Sequence, residues 1–332
     1  MGRRLKSPNR KTRLVLIQIF LALLIFQPVV FRLNAGAYNG QKSSSPKYSI
    51  PSKNGEPISH EGLTTSIPPK TVIGEQTVIF IFVQFSDVKN STPIETIMEK
   101  IYWPLCDYYR EVSYSKISIK GWHISVWINL PNKMAYYGAD SADEIDVNGY
   151  LLFYDTVKSA DSYIDFSPYK HLTIVHAGDD QADSAEKNDI WSMYYSGLTI
   201  PTNDGITVTN GLTVAETSPM GTFAHELGHS LGLPDLYDYN YQQEFVGFWS
   251  LMGYGGSLGS PLGSCPSHIM SPERIWLGWL ASNQIVSITN GIIRNITLNN
   301  LEISGGTLAV KVPLGITSYY TTVSYTHLTL PT

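Results

Sequence analysis

The sequence predicts an α+β domain: a twisted mixed sheet backed by helices, with one helix carrying H-E-x-x-H-x-x-G-x-x-D. Three observations point there. Apolar or alternating runs at residues 77–85, 116–130, 172–175 and 207–216 have the spacing of strands. Stretches at 93–110 and 147–160 repeat their apolar residues at helical spacing. Between Ser218 and Asp235 a third helical stretch has start and stop signals at its two ends.

That third stretch organises the rest. Ser218 is placed as N-cap and Pro219 as first helical residue, while Phe223, Ala224, Leu227 and Leu231 form an apolar back face. His225 and His229 stand at i and i+4, so both imidazoles leave one face toward a common point. Glu226 follows directly, within reach of water at that point. Gly232 suits a left-handed C-cap and Pro234 forbids continuation, so the chain turns and brings back Asp235 as third ligand, with Asp238 as the fallback. Two His and one carboxylate with an open fourth position are a catalytic zinc donor set. The bland alternative is an amphipathic helix with solvated histidines.

The other elements follow in chain order. Residues 1–37 hold seven basic and no acidic residues; a basic start precedes an apolar run from Leu14 to Phe26 and an Ala35-Gly36-Ala37 site. That predicts a secretory signal, or a signal anchor if the apolar stretch is read to Phe31, so a membrane partner is expected only for an uncleaved anchor. Residues 38–70, rich in Ser, Lys, Pro and Gly, read as a linker or short propeptide, and 71–325 as the folded domain. In the helix over 93–110, Pro104 is expected to kink or end it. The alternation over 116–130 predicts an antiparallel strand or hairpin. A helix is expected over 272–280, ending at Gly278-Trp279, and two or three strands over 285–312. Asn90 and Asn295 head glycosylation sequons, and 318–332 reads as a truncated or artefactual end.

Composition narrows the function classes. Only 15% of the 332 residues are charged, and the chain outside 1–37 carries a net charge of −12. An acidic domain without a basic aromatic patch excludes nucleic acid as partner. Cys106 and Cys265 are too few for the metal site, and whether they pair stays open. Asp179, Asp180 and Asp183 lie in an acidic loop that can hold calcium, with a solvated loop as the alternative. Tyr254 is a candidate oxyanion donor and His268 a candidate for the same role or for one behind the ligands. His60, His123, His171 and His176 lack metal spacing and are read as structural.

Residues 221–238 (GTFAHELGHSLGLPDLYD) resemble the M6 peptidases, the immune inhibitor A family. So do 82–87 (FVQFSD), 108–114 (YYREVSY) with 116–119, 175–178 (VHAG) with 190–192, 248–253 (FWSLMG), and 266–268 with 277–279. These segments span about residues 75–325 in the family's order. The resemblance implies a secreted zinc endopeptidase of zincin or metzincin-like architecture, acting on protein or peptide substrates. Zinc would sit on His225, His229 and Asp235, with Glu226 as general base and acid and Met252 in a Met-turn below the ligands. It also implies that the strand leading into the zinc helix, 207–216, aligns substrate by strand addition. Departures are Ser250 where the family usually has Asp, Met193 where His is common, and a chain in which 165–170 (DFSPYK) runs straight into His171 without an Asp-Gly loop. A non-catalytic exported binding module and a zinc amidohydrolase of non-protein substrates are the rival readings.

Overall fold

Strand β1 (Gly74–Gln84) is the axis of the main sheet. The computed structural model describes residues 70–142, 144–237, 246–288, 295–313 and 319–325. The expected signal and linker, Asp238, and parts of the expected C-terminal strands and tail therefore lie outside the described residues.

β1 is buried on both faces, and its alternation divides it between two cores. Val78, Phe80 and Phe82 face one cluster, while Ile79, Ile81 and Val83 face the other. Helix α1 (Ile94–Val112) follows and returns the chain to β2 (Ile117–His123), which pairs with β1 in parallel. The antiparallel pairing expected over 116–130 is thus corrected: a helix-length crossover lets neighbouring strands run in the same direction. The short β3 (Ile128–Asn129) also pairs in parallel with β1.

Pro104 does not end α1, contrary to expectation. A proline inside a helix costs about 3 kcal/mol. Beyond it, however, Leu105, Tyr108, Tyr109 and Val112 are all buried in the first core. Each such side chain is worth about 1.5–3 kcal/mol, so packing outweighs the local penalty.

After α2 (Met134–Tyr137), helix α3 (Gly149–Ala160) covers the second core, close to the expected span. The expected short strand is β4 (His171–His176), parallel to β1 and wholly buried. A short α4 (Gln181–Ser184) leads to β5 (Met193–Pro201) and β6 (Thr207–Ala215). β6 pairs in parallel with β4 and antiparallel with β5, giving a mixed sheet in the order β2-β1-β4-β6-β5. Helix α5 (Met220–Leu231) then crosses the first core. The short α6 (Ser271–Trp276) precedes a small sheet of β7 (Ile285–Ser287), β8 (Ala309–Pro313) and β9 (Tyr319–Thr322). Cys106 and Cys265 are both free. Among the described residues no helix is long and apolar enough to cross a membrane.

One buried histidine ties the sheet to α5. The ring of His171 bonds Ser230 Oγ through Nδ1 at 2.7 Å and Gln76 Oε1 through Nε2 at 3.3 Å. Burial, helped by Lys70 and Lys170, lowers its pKa from 6.5 to about 4. The unfolded chain therefore takes up a proton between these values that the native chain refuses. Stability is full above pH 6.5 and falls as pH drops toward 4, by about 3 kcal/mol for this group. Urea unfolding of the wild type and His171→Gln across pH 7 to 4 checks this: the variant is expected to show the shallower decline, and parallel curves would refute it.

Candidate active site

The chain enters α5 without a side-chain cap. Pro219, not Ser218, is the N-cap residue. The Ser218 hydroxyl instead bonds Asp180 Oδ2 at 3.3 Å and accepts from the Ala215 amide at 3.1 Å. A loop carbonyl serves the helix start: Gly221 N–H donates to Gly263 O at 2.9 Å. The approach is tight, because a Cβ on Gly221 would stand 1.8 Å from Gly256 O. The back face of Phe223, Ala224, Leu227 and Leu231 is buried as the period predicts, and Tyr109 Oη donates to Ala224 O at 2.6 Å.

At the other end the expected stop is in place. Gly232 has φ +106°, and its amide closes on the last turn of the helix. Leu233 N–H donates to Gly228 O, and Leu236 N–H to Met252 O at 2.7 Å. The bend returns Asp235 to the histidines. Its Oδ1 lies 3.0 Å from His225 Nε2 and 3.2 Å from His229 Nε2, and the two Nε2 atoms are 3.1 Å apart.

The outer ring nitrogens settle which atoms face this point. His225 Nδ1 donates to Leu251 O at 2.9 Å and His229 Nδ1 to Leu233 O at 2.8 Å. A carbonyl oxygen only accepts, so each Nδ1 carries a hydrogen and each Nε2 faces the common point, able to present its lone pair to a cation there. Two such nitrogens and a carboxylate oxygen at mutual distances of 3.0–3.2 Å repel one another unless positive charge lies among them. Ligands bonded to a tetrahedral zinc at 2.0–2.2 Å stand about 3.3 Å from each other, so the donor set fits that ion in both chemistry and spacing. The pKa shifts express the same demand for charge. Burial opposes a charged His225, but its bond to Asp235 and the adjacent carboxylates push it up to about 9. His229 is raised against burial in the same way, chiefly by Asp235. Burial also opposes the Asp235 carboxylate, yet the bonds from both histidines hold it well below the usual range.

Glu226 completes the H-E-x-x-H group, with a carboxylate oxygen within 4.8 Å of the histidine ligand atoms. Its Oε2 is buried and has no hydrogen-bond partner among the described residues, and burial raises its pKa. Both facts suit a group poised to take a proton. His225 and Glu226 line a cleft of about 700 Å³ that runs past Trp191, Met220, Tyr254 and Leu262.

The remaining candidates divide. Tyr254 lines the cleft, its ring stacked 5.9 Å from Tyr237, which in turn lies 6.3 Å from His225. His268 is not in the cleft lining. Its Nε2 bonds Glu111 Oε1 at 3.0 Å and its Nδ1 accepts from Arg274 at 3.1 Å, so both ring nitrogens are committed elsewhere. Asp180 caps α4, accepting from Ala182 and Ser192 amides, whereas Asp179 and Asp183 are exposed. Among the described residues no gathering of ligand atoms unites these three aspartates, so the structure lends the calcium reading no support. Met252 is fully buried beneath α5, where a Cβ on Gly228 would meet its sulfur at 2.7 Å. Sequence reasoning missed Tyr237, Tyr194, which stacks 6.2 Å from His229, and the carbonyls of Leu233 and Leu251; only Tyr237, an aromatic residue just past Asp235, left a signal.

A helix-borne H-E-x-x-H group packed on a mixed sheet, with a returning carboxylate beside it, is a metallopeptidase-like arrangement. Residues 155–280 match the family described as immune inhibitor A peptidase M6, catalytic domain. Immune inhibitor A of Bacillus thuringiensis subsp. alesti is 30% identical over 209 residues, covering 50% of this chain and 30% of that protein. A protein of Arthroderma benhamiae whose name includes the words secreted metallopeptidase is 30% identical over 137 residues, 36% of this chain and 20% of that one. The chain thus spans less than a third of the length of either relative. The crystal structure of metalloproteinase-II from Bacteroides fragilis is matched over 63% of this chain and 53% of that one, at 15% identity and a TM-score of 0.32, too loose a likeness to argue from.

Proposed function

We propose that this chain is an exported zinc endopeptidase, with residues 71–325 as its peptidase domain and the segment before them as signal or anchor. One observation carries the reading: His225, His229 and Asp235 converge at 3.0–3.2 Å beside Glu226, whose buried Oε2 has no hydrogen-bond partner among the described residues, at the wall of an open cleft. His225, His229 and Asp235 would hold zinc, which when bound supplies Lewis acidity and lowers the pKa of water toward ~7. Glu226 takes the proton of the attacking water and delivers it to the leaving amine nitrogen. Tyr254 donates its phenol proton to the oxyanion that develops on the scissile carbonyl. His268, held between Glu111 and Arg274, takes no part.

Substrate alignment belongs to β5 rather than to the expected 207–216 strand. β6 is hydrogen-bonded on both sides, to β4 and β5, and has no edge to offer. β5 ends the main sheet, and the residues just before it, Trp191 and Ser192, line the cleft. An extended peptide adds to such an edge by backbone hydrogen bonds, a recognition that favours a polypeptide over a small amide. The test is cleavage mapping on a peptide library with the zinc-loaded, chelator-treated and zinc-restored protein. Internal cleavage that vanishes with chelator and returns with zinc is expected; an inert zinc-loaded protein would refute the reading.

A further inference from the structure

We propose that Glu273 is a positioning residue for the metal centre, acting on His225 through Ser250 and one peptide bond. The inference rests on the metal-site reading above and deepens it. Glu273 is 6% exposed, and its Oε2 accepts from Ser250 Oγ at 3.0 Å and from the Met270 amide at 2.9 Å. Ser250 Oγ in turn accepts from Met252 N–H at 3.1 Å. That N–H shares its peptide plane with the Leu251 carbonyl, which accepts from His225 Nδ1–H at 2.9 Å. A continuous line of hydrogen bonds therefore runs from a buried carboxylate to the back of a ligand imidazole.

The direction of polarisation is the same at every link. The carboxylate draws the serine hydroxyl, the serine oxygen draws the Met252 N–H, and the Leu251 oxygen gains electron density. A stronger acceptor at Nδ1–H makes Nε2 a better donor to a cation and fixes the ring orientation. Metal-ligating histidines commonly lean on a carboxylate directly; here a serine and a peptide unit stand between. The same turn also steadies the third ligand, since Met252 O holds Leu236 N–H next to Asp235.

Two features argue against a role in folding alone. Among the described residues Glu273 Oε1 is buried without a hydrogen-bond partner, a costly arrangement that an apolar residue would avoid. The neighbouring Arg274 does not offset it through an ion pair: its guanidinium goes to Ile269 O, Tyr114 Oη, Leu301 O and His268 Nδ1.

The test is the zinc dissociation constant, read by chelator competition, for the wild type, Ser250→Ala, Ser250→Thr, Glu273→Gln and the double variant Ser250→Ala/Glu273→Gln. Thermal unfolding of each metal-free protein is followed in parallel. Ser250→Ala and Glu273→Gln are each expected to weaken zinc binding by about 10-fold. Ser250→Thr restores it, and the double variant is no weaker than the single ones because both act on one line. If Ser250→Ala does not fold, the isosteric Glu273→Gln gives the same reading. Unchanged zinc affinity in folded variants, or losses that simply add, overturns the inference while the metal site stands. A wild type that binds no zinc overturns both.

Discussion

Glu226→Gln is expected to abolish peptide cleavage while leaving one zinc bound per chain. The carboxylate is buried at the cleft wall, and its Oε2 makes no hydrogen bond among the described residues, so the isosteric amide fits the same space. It is also not among the three atoms that converge at 3.0–3.2 Å, so the donor set survives. What the amide cannot do is accept a proton. General acid–base groups contribute about 10²- to 10⁴-fold, and here one residue serves twice, once at the water and once at the amine. A fall of kcat by about 10³-fold or more, with unchanged zinc content by metal analysis, is the expected result. The burial that raises the Glu226 pKa brings the carboxyl nearer the working pH, where a base both holds its charge and receives a proton readily. A variant that keeps the wild-type rate would mean that another base does the work, and the role given to Glu226 would fall.

How much of this was legible in the sequence follows from how local each feature is. The spacing of His225, Glu226 and His229 needs only the helical period, and the return of Asp235 needs only Gly232 at φ +106° and a proline behind it. Both conditions are written within eleven residues. The helix start was misread by one position because Ser218 is drawn away by Asp180, a residue distant in the chain. Pro104 misled for a related reason: local propensity marks a break, but the four buried residues after it answer to a core assembled from other elements. The direction of β2 depends on where α1 delivers the chain, which alternation cannot encode. The same holds for the substrate edge, since a strand next to the motif in sequence turned out to lie inside the sheet. His268 sits near the motif in the family's order, yet Arg274 and Glu111 fix its ring elsewhere. The spacing set by one helical period held, whereas the helix start, the strand direction and the sheet edge depended on partners that other elements bring in.

Asp235→Ala is expected to cost more zinc affinity than any change behind the ligands. Outer-shell partners are worth about 10–100-fold in metal affinity. Asp235 is the anionic member of the donor set, and its Oδ1 touches both imidazoles at once. Its loss removes a ligand, the negative charge that offsets the cation, and the group that brings the two rings to a common point. Zinc should bind more than about 100-fold more weakly than to the wild type, beyond the outer-shell range. The stabilisation by excess zinc reports this directly, since each tenfold loss of affinity removes about 1.4 kcal/mol of the metal-dependent gain. Asp235→Asn separates charge from shape: the amide oxygen can still ligate, so its loss should fall between that of the wild type and that of the alanine variant. Asp238→Ala is the matched control, because a carboxylate three residues further on is the other candidate the motif allows. The geometry predicts that this variant keeps wild-type affinity, since the bend at Gly232 and the anchoring of Leu236 by Met252 O already place Asp235 at the ligand point. If Asp238→Ala loses zinc and Asp235→Ala does not, the third ligand is wrongly assigned, even though the two histidines keep theirs.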